Sequence, residues 1–122
     1  MILGTSRSVR VYAYPEAVDL RKGYDGLFGL VKQGLGRDPL SGDLFLFVNQ
    51  RRKGCKVLLW DGTGLCLFQK RLERGCFASL WRDDGGVTRM TASELALFIE
   101  GCAWVGRRPL SPDAIVPAPL AR

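Results

Sequence analysis

Residues 44–77 read LFLFVNQRRKGCKVLLWDGTGLCLFQKRLERGCF, and the division of this string into strands and turns decides the fold. Leu44-Phe45-Leu46-Phe47-Val48 and Val57-Leu58-Leu59-Trp60 are short continuous apolar runs. Periodicity alone does not separate such runs from buried helix, but their shortness and flanking turn residues favour strand. Asp61-Gly62 is a hairpin signal, because glycine reaches the positive φ that a tight turn of the right twist requires. Ser41-Gly42, Lys53-Gly54, Arg74-Gly75 and Gly85-Gly86 punctuate the surrounding chain at intervals of about ten residues. The string therefore predicts an antiparallel meander. Residues 44–49 run up, 50–54 turn, 55–60 run down, 61–64 turn, 65–72 run up, and 73–75 turn into a strand over 76–81.

The meander also carries the excess charge. The chain has a net charge of +6, with 18 Lys or Arg against 12 Asp or Glu. Residues 51–74 alone hold seven Lys or Arg against Asp61 and Glu73. With strands rising about 3.3 Å per residue and lying about 4.8 Å apart, the first and third connections fall at one end of the sheet. Arg51, Arg52, Lys53, Lys56, Lys70, Arg71 and Arg74 are expected to converge there, with Asp43, Asp61, Asp83 and Asp84 gathered at the opposite end. A cationic rim of this kind suits a polyanion. The competing reading is that these are ordinary solvated loop charges.

Either side of the meander, the pattern predicts helices. Val9 to Ala13 reads as a short strand ended near Pro15. Leu20, Tyr24, Leu27, Val31 and Leu35 then form an amphipathic stripe, with Asp19 placed to cap it and Gly36 to end it. Arg21-Lys22 reads equally as an extension of the basic rim at a helix start and as a solvated helix start. After a short Val87 to Met90 segment, Thr91-Ala92-Ser93-Glu94 is a capping-box pattern. Leu95, Phe98, Ile99 and Cys102 follow as one apolar face, and Gly101 permits a stop. The expectation is an α+β domain, residues 1–105, with an antiparallel meander of four to five strands covered by two helices. Residues 106–122 hold four of the six prolines and read as a tail or arm.

Together with Arg21-Lys22-Gly23-Tyr24-Asp25-Gly26-Leu27 and Arg37-Asp38-Pro39-Leu40-Ser41-Gly42, the string from Trp60 to Gly75 resembles the TnpB-type accessory proteins of IS-sixty-six family insertion sequences. These are unrelated to the RNA-guided nuclease of similar name. The likeness runs from about residue 9 to residue 104 and departs from the family at Cys55, usually polar there, and in the proline-bearing tail. It implies a protein encoded beside a separate transposase that assists transposition, with no catalytic residues to carry across.

The remaining features narrow the chemistry. The chain is 47% apolar and 25% charged, as in an ordinary soluble globular protein. No apolar run approaches the roughly 20 residues of a bilayer span. The N-terminus lacks the apolar core of a signal peptide, so the expected address is cytoplasmic. Cys55, Cys66, Cys76 and Cys102 show no C-x-x-C spacing, and there is no His. They read as buried small hydrophobes and not as a zinc site, and no cofactor is expected. Arg51–Lys53 beside Cys55 favours a thiolate only if Cys55 is exposed. Trp60 and Phe68 read as core side chains more readily than as base-stacking platforms. The acidic residues could gather Mg²⁺ for phosphoryl chemistry, but turn chemistry explains them more simply. The sequence thus points to a non-catalytic accessory factor. Its basic rim, with Arg21 and Lys22, binds DNA backbone, or else the chain is an adaptor that binds the transposase through apolar helix faces or the tail. An unpaired meander edge leaves room for a homo-oligomer.

Overall fold

A computed structural model describes residues 9–101. The chain forms β1 (Arg10–Ala13), α1 (Tyr24–Gly29) with a π-helical extension (Leu30–Gly34), β2 (Leu44–Val48), β3 (Gly54–Trp60), β4 (Leu65–Arg71), β5 (Thr88–Thr91) and α2 (Ala92–Ile99). The α+β class holds: a five-stranded sheet of order β4-β3-β2-β1-β5 carries both helices. β2, β3 and β4 are the predicted meander, antiparallel throughout. β1 lies parallel to β2, which requires the long crossover that α1 supplies. β5 pairs antiparallel with β1, so the sheet is mixed.

The apolar runs become central strands because both faces of the sheet are covered. Along β2 every residue is buried. Leu44, Leu46 and Val48 face one cluster with Val11, Cys55, Val57, Phe77, Leu95 and Phe98. Phe45 and Phe47 face the other, with Tyr12, Val18, Leu27, Val31 and Leu58. The first cluster seats α2 and the second seats α1.

Three expectations are corrected. Residues 76–81 form no strand. Phe77 N donates to Arg52 O at 2.6 Å, which turns the chain off the β4 edge and across the face. There Phe77 stacks on Phe98 with ring centroids 4.9 Å apart. The first helix begins at Tyr24, after Gly23, with no side-chain cap, because the Asp19 carboxylate is occupied by Arg21. Tyr24, predicted on the apolar stripe, is 50% exposed. The helix then widens, with Leu35 N donating to Leu30 O at 3.1 Å. Gly34 sits where any Cβ would strike the Tyr14 side chain. At the second helix the capping box is present in both directions, Glu94 N to Thr91 Oγ1 at 3.1 Å and Thr91 N to Glu94 Oε1 at 2.8 Å.

The third correction concerns the acidic end. Asp43 and Asp61 adjoin the paired ends of β2 and β3. Asp83 and Asp84 precede β5, whose first residue Thr88 pairs with Ala13 and so lies level with Leu46 at the middle of β2, away from the end that holds Asp43 and Asp61. No group of three or more His, Cys, Asp or Glu able to hold a metal ion occurs among the described residues. The arm expected at 106–122 and the place of Cys102 lie outside the described residues.

Candidate functional site

Turn chemistry builds one pole of the sheet, where β2 ends, β3 begins and β4 ends. Asn49 Oδ1 accepts from Lys53 N at 3.0 Å and Gly54 N at 3.1 Å, the use of a short amide that favours Asn in turns. Arg52 takes a positive φ of 59°, uncommon for a side-chain-bearing residue. Its carbonyl receives Phe77 N and its Nη1 donates to Phe77 O at 2.7 Å. Leu72 N donates to Lys53 O at 2.8 Å. These bonds join the 49–53 turn to the 72–77 connection, so the two basic segments share one end of the sheet.

A third segment arrives from β1. Val18 N donates to Val48 O at 3.0 Å, and Lys56, on the α1 face, donates from Nζ to Lys22 O at 2.9 Å. Arg21 and Lys22 therefore lie at the same pole. A shallow cleft of about 660 Å³ runs between residues 17–21 and 49–51. Val18 and Leu20 are among its apolar lining, and Arg21, Gln50 and Arg51 are among its polar lining.

The nine predicted cations divide by what they hold. Lys56 is only 7% exposed. Lys53 Nζ bonds Gly75 O at 2.9 Å and Lys70 Nζ bonds Ile99 O at 2.8 Å, at the C-terminal end of α2. With Arg52 these four tie backbone segments together. Arg21 pairs with Asp19 at 2.7 Å. That pairing holds the Asp19 carboxyl well below the usual range and raises Arg21. Arg71 approaches Glu73 only to 3.9 Å, both exposed, a distance and exposure at which ion pairs contribute little. Lys22, Arg51 and Arg74 are exposed and make no ion pair among the described residues. The sequence did not reveal Asp19 as a local partner or Asn49 as the pin of the turn, although Asn before a basic turn was the available signal.

Other candidates resolve simply. Cys55 is fully buried, and desolvation pushes its thiol up to about 12, so the neighbouring cations make no reactive thiolate. Cys66 and Cys76 are half-buried, and the three described cysteines are free. Trp60 is half-buried and Phe68 43% exposed, so neither is the core side chain expected. They face opposite sides, because Phe68 pairs with Val57 while Trp60 shares the face of Leu58. The apolar faces of both helices are packed on the sheet at Leu27, Val31, Leu95 and Phe98. No described helix is long and apolar enough to cross a membrane.

The comparisons agree with one another. The uncharacterized protein y4jC of Sinorhizobium fredii is 36% identical over 111 residues, covering 89% of this chain and 94% of that protein. The uncharacterized protein y4hO of the same organism is 35% identical over 104 residues, covering 84% and 89%. No solved structure matches. The family model described as IS66 Orf2 like protein matches residues 9–109, a span that contains the whole sheet and every cation of its basic pole. The chain belongs to the IS66 Orf2-like family, whose members are accessory proteins of transposition.

Proposed function

We propose that this accessory protein holds DNA backbone at the basic pole of its sheet, at the ends of the element or within the transposase complex. The observation that carries this reading is the backbone bonding of the 49–53 turn to the 72–77 connection, which sets Arg51, Arg71 and Arg74 on one pole with Lys22. Such a surface suits phosphate contact without base readout, because Lys and Arg on loops meet the backbone while no helix among the described residues is presented to a groove. Tyr24, exposed two residues beyond Lys22, adds an aromatic surface near the cations. The adaptor reading loses its helix-face version, since those faces are buried, and keeps only the tail.

The two readings separate in one titration. Purified protein is mixed with labelled element-end DNA, first alone and then with the transposase. Binding by the protein alone, equal on unrelated DNA of the same length, is the expected result. Binding only when transposase is present supports the adaptor and removes direct DNA contact.

A further inference from the structure

The outer edge of β4 has no strand beyond it among the described residues. The register says which backbone groups it offers. Asp61 N donates to Gly64 O and Leu72 N to Lys53 O, and antiparallel pairs alternate between bonded and non-bonded. The even-numbered residues of β4 therefore bond to β3, while Leu65, Leu67, Gln69 and Arg71 turn their N–H and C=O groups outward. Phe68, at the middle of this seven-residue edge, is 43% exposed. Lys70 does not guard the edge, because its ammonium is drawn back onto Ile99 O. A long open edge with an exposed aromatic at its centre is what natural sheets avoid unless it is paired.

We propose that β4 pairs with β4 of a second copy, antiparallel about a two-fold axis at Phe68, joining two five-stranded sheets into one. In this register Leu67 exchanges hydrogen bonds with Gln69 of the second copy, and Leu65 with its Arg71. The two Phe68 side chains meet in a non-bonded pair, where Cα atoms are about 4.5 Å apart and side chains closest. Lys70 falls opposite Cys66 of the second copy, and that thiol lies 3.4 Å from Asp61. The basic end of each β4 thus lies beside the acidic turn of its mate, and no cation is set against another. Charge complementarity is what selects a second copy as the occupant, since Arg71 ends the strand and the turn that holds Asp61 leads into its start. The other edge strand, β5, has four residues and leads directly into α2. Because the paired strands run in opposite directions, the two basic poles point to opposite ends of the joined sheet. The pairing holds whatever those poles bind.

Light scattering on the full chain at micromolar concentration is expected to give twice the 13.5 kDa chain mass. Phe68→Glu sets two carboxylates face to face and is expected to halve that mass with the circular dichroism spectrum unchanged. In a Cys66→Ser, Cys76→Ser, Cys102→Ser background, Phe68→Cys is expected to form an intermolecular disulfide on mild oxidation, and Gln69→Cys is not. A monomeric wild-type chain overturns the proposal, including the case in which residues beyond 101 occupy the edge. A dimer that survives Phe68→Glu and that Phe68→Cys fails to cross-link also overturns it, by placing the interface elsewhere.

Discussion

Lys56 shows what a basic residue becomes when a fold closes over it. It lies on a strand buried on both faces, and its stem packs on the α1 side while Nζ meets Lys22 O at 2.9 Å. Long cationic side chains of this kind bury their methylenes and carry the charge to the nearest acceptor. Lys56→Ala removes both the packing and the bond that holds residues 19–22 over the sheet, and is expected to cost about 2 kcal/mol, as for loss of a partly buried charged hydrogen bond. Urea unfolding checks this, and an unchanged midpoint contradicts it. Asp61 makes a second case. Its carboxyl accepts first from Thr63 N at 2.9 Å and Gly64 N at 3.0 Å, then from Cys66 and the Thr63 hydroxyl. These donors pull it from 3.8 down to about 2. A carboxyl lowered in the fold stabilises above its unfolded value, and that contribution fades as pH falls from near 4 toward 2. Amide resonances of Thr63 and Gly64 are expected to titrate with a midpoint near 2; a midpoint near 4 contradicts the hydrogen-bonded turn.

At the scale of elements, legibility follows the range of the interactions that decide each one. The capping box of α2 was readable because Thr91 and Glu94 lie three residues apart and satisfy each other's backbone. Thr91→Ala is expected to cost about 1 kcal/mol, the usual loss for an N-cap, seen as a lower thermal midpoint, while Thr91→Ser retains the cap. The Asp61-Gly62 hairpin was readable for the same local reason, and Gly62 takes a φ of 107°. By contrast, residues 76–81 look like a strand because an apolar run records burial and not its partner. Only the distant Phe98 ring and the Arg52 carbonyl decide that they cross the face. The place of β1 between β2 and β5 is likewise set by pairing over long sequence separations. Asp19 was a plausible cap by position, yet Arg21 two residues on competes for its carboxylate. Of the predicted site, the meeting of the basic segments was legible from strand direction. The attachment of Arg52, Lys53, Lys56 and Lys70 to carbonyls was not, because those acceptors come from residues between 22 and 34 positions removed.

For the whole molecule, the consequence is a division of labour within one cluster. Four cations fasten the turn, the crossing segment and α2 to the sheet, while Lys22, Arg51, Arg71 and Arg74 extend into solvent at the same pole. Removing members of the first group tests the fold; removing the second tests the function. Binding to a polyanion releases condensed counterions, so log affinity falls with log salt by roughly 0.9 for each phosphate contacted. The decisive measurement is therefore the salt dependence of affinity for element-end DNA, compared between the wild-type chain and Arg51→Ala combined with Arg74→Ala. The account predicts weaker binding with a slope shallower by about 2 for the variant, with unfolding unchanged. Equal affinity and equal slope in the two proteins contradict it.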